Sequence, residues 1–233
     1  MEDWLRWARG PAFRFSIVLM LLGLLRLAVL NAINIANAVS LAGNKNIPWK
    51  KVIGDTSKWL FPYKTVTSHV VTTIVSILFH VSIIITPLFL GAHILLWNRG
   101  IGTSWAALPQ VVADYLTLMA IATAIVLFVK RVSAKMTRSM SRPQDYILPL
   151  VIAVPFVSGY LAMHPAYNPF DYSATIFIHV MSGNIVMMLI PFSKMSHVVL
   201  FPTTQLVSEV AWHLAPGSGE QVALTLGKES DPI

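Results

Sequence analysis

Five apolar segments, each long enough to cross a bilayer, divide this chain and leave it few ways to fold. A helical crossing takes about 20 residues at 1.5 Å each. The expected spans are residues 12–31, 67–97, 109–129, 146–163 and 172–201. Their apolar character runs nearly all round, as expected of helices that face both lipid and protein. Only 12% of residues are charged, about half the share of a soluble domain. The expected fold is all-α: one integral membrane domain over residues 1–233, a bundle of five transmembrane helices with a flexible tail over about 214–233. Pro87, Pro155 and Pro191 fall inside spans, where neighbouring groups can satisfy the backbone that a kink frees.

The net charge of +7 has a topological explanation. Lys45, Lys50, Lys51, Lys58 and Lys64 occupy the first loop. Lys130, Arg131, Lys135, Arg138 and Arg142 occupy the third, and Lys194 and Lys228 lie toward the same side. Arg6, Arg9, Arg14 and Arg99 are left opposite, with Arg26 inside the first span, where snorkelling to the interface is its commoner role. The positive-inside rule then puts the N-terminus outside and the C-terminus in the cytoplasm of a cell inner membrane. With the lipid bilayer as partner, nucleic acid is not needed to account for the charge.

The chain has no cysteine. Within it there can be no disulfide, thiolate zinc site or cysteine-ligated iron–sulfur cluster. A redox role must rest on histidine or methionine. Of seven histidines, His80, His93 and His179 lie within spans and His197 lies in the last turns of the fifth. His69 opens the second span, His164 follows the fourth and His213 is in the tail. One membrane histidine is often an interhelical hydrogen bond. Four on two helices point to a site, because ionisable groups at membrane depth are rare and usually functional.

On one continuous helix, His179 and His197 would share a face and stand about 27 Å apart, too far to bind one metal. Two stacked sites remain possible. If the second helix runs antiparallel to the fifth, His80 approaches His197 on the inner side and His93 approaches His179 on the outer side. Each pair could clamp one iron porphyrin through two neutral imidazoles, with Gly91, Ala92, Ser182 and Gly183 leaving room for a flat ring. Zinc or copper would need more ligands at each level. His80 and His93 fall on nearly opposite faces of an ideal helix, so Pro87 is expected to kink or rewind it. His69 is the alternative partner of His80: their spacing returns to one face, but His69 lies at the interface.

At these residues the chain resembles the respiratory nitrate reductase gamma subunit family, five-helix di-haem b-type cytochromes that exchange electrons with quinone. The matching features are His179 followed by "PFSKMSH" ending at His197, "LFH" ending at His80, "GAH" ending at His93, and the basic loop before the fourth helix. The longer spacing in the second helix is more like related cytochromes of sulfate reducers and other anaerobes. The resemblance covers roughly residues 76–202. It implies His80, His93, His179 and His197 as ligands of two haem b groups. It also implies a quinone-linked oxidoreductase subunit in a larger complex. Menaquinone or ubiquinone would be the substrate, and iron–sulfur or multihaem cytochrome subunits the partners. His164 and Asp171, with Tyr167, are candidates for a quinone and proton site in the outer loop. A haem-free membrane anchor and a histidine-relay transporter are the alternative functions.

Overall fold

The computed structural model describes residues 2–44, 46–60 and 70–229. All regular structure among these residues is helical, and five helices are long and apolar enough to cross a membrane. Helix α1 covers Glu2–Leu41 and contains a π-helical turn at Ala8–Ala12 around Pro11. It is much longer than the expected 12–31. The added segment from Ala32 onward is rich in alanine and contains no proline or glycine before Gly43 to stop it. Then follow α2 (Trp49–Leu60), α3 (Val70–Phe89), α4 (Gly91–Ile101) and α5 (Gln110–Ser133). Next come α6 (Pro143–Met163), α7 (Tyr172–Leu189), α8 (His197–Ala211) and α9 (Ser218–Leu226). Helix α9 lies in the tail expected to be flexible. His69, Lys45 and Lys64 lie outside the described residues.

Two expected helices are interrupted. The second span breaks at Leu90, whose extended backbone (φ −71°, ψ 128°) starts a new helix. The fifth gives way to 3-10 turns at Ile190–Phe192 and Lys194–Ser196, separated by extended Ser193. His197 therefore opens α8. The expectation of His179 and His197 on one face of one straight helix is corrected. Pro191 lacks the N–H that would continue α7, and the Ser193 hydroxyl accepts from the Met195 backbone N–H at 3.2 Å, capping a fresh turn.

The chain divides into two compact units, residues 1–17 with 64–187 and residues 18–63 with 188–233. In the first, α5 packs along α3 on one side and α6 on the other. Small residues allow that approach: Ala113, Ala120 and Ala124 of α5, Ser82 and Thr86 of α3, and Ser158 and Ala162 of α6 are all buried. A capping box starts α6, with the Arg142 N–H donating to Asp145 Oδ2 at 2.8 Å. Arg131 reaches the same carboxylate at 3.0 Å. Helix α7 has no comparably extensive backbone packing with these helices. It is tied by side chains, among them buried Asn184, whose Nδ2 donates to the Ala8 carbonyl at 3.0 Å.

In the second unit α2 packs on α8. Ile47, Val52 and Val210 form a small buried core with Val39, Leu206 and Leu214 against it. Asn31 Nδ2 donates to Thr203 Oγ1 at 3.0 Å, joining α1 to α8. Gly23 faces Pro191 so closely that a Cβ there would lie 2.5 Å from the proline Cβ. Asp55, Thr56 and Glu209 are buried as well. Lys58 donates to Asp55 at 2.7 Å, and the Trp59 indole hydrogen-bonds Glu209. Burial first, then the Asp55 carboxylate, push the Glu209 carboxyl above its usual value, while Lys51 and Trp59 oppose the rise. His213 is shifted down, by burial and then by Lys51, against Asp55.

The folded protein thus keeps the Glu209 proton to higher pH than the unfolded chain does. Stability declines as pH rises above the ordinary carboxyl value of 4.5 and stays reduced beyond the raised one. His213 acts oppositely, losing stability as pH falls below 6.5. Glu209→Gln leaves the His213 contribution in place and removes the other. In detergent, the unfolding midpoint of Glu209→Gln relative to wild type is expected to rise as pH increases from 4.5 toward neutrality. A constant difference across that range would contradict the assignment.

Candidate functional site

The break at Leu90 frees three carbonyls of α3, and each has another donor. Phe89 O accepts from the Leu108 backbone N–H at 2.9 Å. Leu88 O accepts from the Trp105 indole N–H at 2.9 Å. Pro87 O accepts from His93 Nδ1 at 3.0 Å. The loop before α5 and one imidazole thus replace the lost helical bonds. The expected distortion at Pro87 is realised three residues later, where these donors converge, and it separates His80 on α3 from His93 on α4.

His179 on α7 is held in a similar way. Its Nδ1 donates to the carbonyl of Pro155 on α6 at 2.8 Å. Its ring lies over Gly159: a Cβ there would come within 2.9 Å of both Cε1 and Nδ1. Only glycine leaves room for the ring at this place. The His93 and His179 rings lie nearly parallel, with centroids 5.9 Å apart and planes within 12°. Both are half-buried. One turn along α7 from His179, a Cβ at Gly183 would meet nothing within 4 Å, so the same helix face opens beside the imidazole.

The four candidate histidines share one chemical state. His80 Nδ1 meets the Ser76 carbonyl at 2.7 Å, and His197 Nδ1 meets the Lys194 carbonyl at 2.8 Å. A carbonyl can only accept, so Nδ1 carries the proton in all four. In the neutral ring Nε2 then holds the lone pair. This is the tautomer of a histidine ligand whose other nitrogen is tied to a carbonyl. His80 and His93 belong to one unit with His179, whereas His197 belongs to the other.

His93 and His179 are the residues that could hold an ion between their Nε2 atoms. With a metal–nitrogen bond of about 2.0–2.1 Å on each side, the ring centroids would stand roughly 6–6.5 Å apart, close to the observed separation. Among the described residues, no group of three or more His, Cys, Asp or Glu is arranged to hold a metal ion.

The loop after α6 brings a carboxylate to His164 that lies on another helix. His164 Nε2 lies 3.3 Å from Asp114 Oδ1 on α5, within ion-pair range but outside hydrogen-bond geometry. Its ring packs 4.3 Å from Tyr160 and 6.3 Å from Tyr167. Asp171 caps α7, with Oδ2 accepting from the Ala174 N–H at 3.0 Å. The carboxylate beside His164 is thus Asp114, which a reading by loop proximity does not find. Its position in the first turns of an otherwise apolar span, anchored by Gln110 Nε2 at 2.8 Å, was the available signal.

A protein of Nitratidesulfovibrio vulgaris (strain Hildenborough) is 34% identical to this chain over 147 residues, which make up 62% of the chain and 63% of that protein. The chain thus spans less than two thirds of the relative's length, and the relative's name states no activity. No family model matches, and no solved structure matches.

The clearance at Gly159 can be tested without any ligand. Gly159→Leu must displace His179 and is expected to cost about 1–3 kcal/mol through overpacking. Gly183→Leu enters open space and is expected to change stability by no more than about 0.5 kcal/mol. Unfolding midpoints of both variants in the same detergent check this, and equal midpoints would contradict the packing of His179 on Gly159.

Proposed function

We propose that this protein is a di-haem b-type cytochrome subunit of an inner-membrane redox complex, exchanging electrons with quinone. The single observation that carries the reading is the parallel His93–His179 pair at 5.9 Å, with each Nδ1 tied to a proline carbonyl. Both rings thereby offer Nε2 while their orientation is set by helix backbone. A haem at each of two ligand pairs would supply reversible one-electron chemistry, for which the protein needs no nucleophile. The assignment of His80 and His197 to the second haem rests on the family resemblance alone. Gly159 and Gly183 serve the first pair as clearance, one for the imidazole and one for the space beside it.

His164 and Asp114 form the proton-exchanging candidate for quinone. Imidazole and carboxylate can share a proton across 3.3 Å after modest movement, and the aromatic faces of Tyr160 and Tyr167 flank the imidazole. Asp171 keeps its capping role. The basic loops suit an N-terminus outside and a C-terminus in the cytoplasm. The partner would be an iron–sulfur or multihaem cytochrome subunit, a reading that rests on family resemblance.

Pyridine haemochrome analysis of the purified protein is expected to give two b-type haems per chain. His93→Ala and His179→Ala should lose the same spectral component, and His80→Ala and His197→Ala the other. Gly183→Leu should lose the His93–His179 component while the chain remains folded. A folded preparation that takes up no haem when haem is supplied, or only one per chain when fully loaded, would sink the assignment, as would both haems retained in His93→Ala. Reduction by a quinol analogue is expected to slow in His164→Ala and Asp114→Asn. Unchanged rates in both would remove that pair from the quinone site.

A further inference from the structure

Helix α2 connects the first two spans and has two unlike faces. Val52, Asp55 and Thr56 are buried on the side that packs on α8. Trp49, Ile53 and Leu60 recur four and seven residues apart, so they form one stripe, and they are 44%, 57% and 38% exposed. Beside this stripe is a shallow groove of about 670 Å³ whose lining includes Lys50, Lys51, Gly54 and Lys58. A Cβ at Gly54 would meet nothing within 4 Å. Lys50 and Lys51 precede Gly54 by four and three residues, and Lys58 follows it by four. Helical geometry therefore stands all three around the gap. Asp55, in the same lining, pairs with Lys58 at 2.7 Å and offsets one charge, leaving the groove cationic.

We propose that α2 is a membrane-surface helix that binds one anionic phospholipid. The headgroup phosphate sits among Lys50, Lys51 and Lys58 over Gly54, and the acyl chains lie along Trp49, Ile53 and Leu60. A lysine stripe alone would be a solvated face, and an apolar stripe alone would suit any protein partner. Side by side, on a helix placed between two membrane spans, they match the charged head and apolar tail of a lipid. The glycine admits the phosphate close to the backbone. Lysine suits this ligand because a freely rotating ammonium tolerates a headgroup that arrives in many orientations. The proposal is independent of haem and of the histidines.

The test titrates the full-length protein in mild neutral detergent with short-chain phosphatidylglycerol or phosphatidylcholine and counts retained lipid by native mass spectrometry. Phosphatidylglycerol is expected to saturate a site of one lipid per chain, with phosphatidylcholine at least about tenfold weaker. The double variant Lys50→Gln/Lys51→Gln should weaken that site by roughly 10–30-fold, at about one tenfold step or less per lysine. Gly54→Glu, which places a carboxylate in open space and keeps every lysine, should abolish it. Equal retention of the two lipids would overturn the proposal. So would wild-type affinity in both variants, or full displacement by equimolar inorganic phosphate, which would show a free-anion site instead.

Discussion

Backbone polar groups must be satisfied, and the positions where this chain's helices stop depend on how that is done. Continuous helices meet the demand internally. At Leu90 and Ser193 the helix is interrupted, and donors from elsewhere take over. Trp105, Leu108 and His93 serve the carbonyls released at Leu90, and the Ser193 hydroxyl starts the new turn after Pro191. An unpaired carbonyl in hydrocarbon costs several kcal/mol, so such breaks survive only where partners are at hand. The donors and the breaks are therefore one feature, and His93 belongs to it.

That arrangement has a chemical consequence. An imidazole that donates Nδ1–H to a helix carbonyl cannot rotate freely and cannot present Nδ1 as a ligand. His93 and His179 are both fixed this way by carbonyls of proline residues, and their planes come within 12°. Gly159 then supplies clearance that any other residue would deny to His179. Helix support and imidazole orientation come from the same contacts, which is why a substitution at the glycine displaces His179 without replacing it.

The second unit uses polar burial differently. Asp55 and Glu209 are two carboxylates in one small core, relieved by Lys58 and Trp59. Protonating Glu209 lowers the electrostatic cost of that core, so its stability is tied to pH. The outward side of the same helix α2 carries lysines and exposed tryptophan and isoleucine. One amphipathic helix thus joins a buried acidic core to a basic, partly apolar surface.

Much of the fold was legible in residue order. Span length and all-round apolarity are local properties, and they gave five helices without reference to any contact. The absence of cysteine excluded thiolate chemistry, and His80, His93 and His179 stood out as ionisable groups within apolar runs. Pro191 followed by Ser193 carried a signal for ending one helix and starting another, but the single long apolar run obscured it. Pro87 marked the neighbourhood of the other break but not Leu90 itself, because two of the three donors that permit it come from residues 105 and 108. The same holds for Asp114 beside His164 and for Gly159 beneath His179. The sequence by itself determined which segments are helical and which residue types can bind a cofactor, because hydrophobic length and side-chain chemistry act residue by residue. Only the tertiary structure decided where helices stop and which rings come together, because those outcomes depend on hydrogen bonds and clearances between residues far apart in the chain.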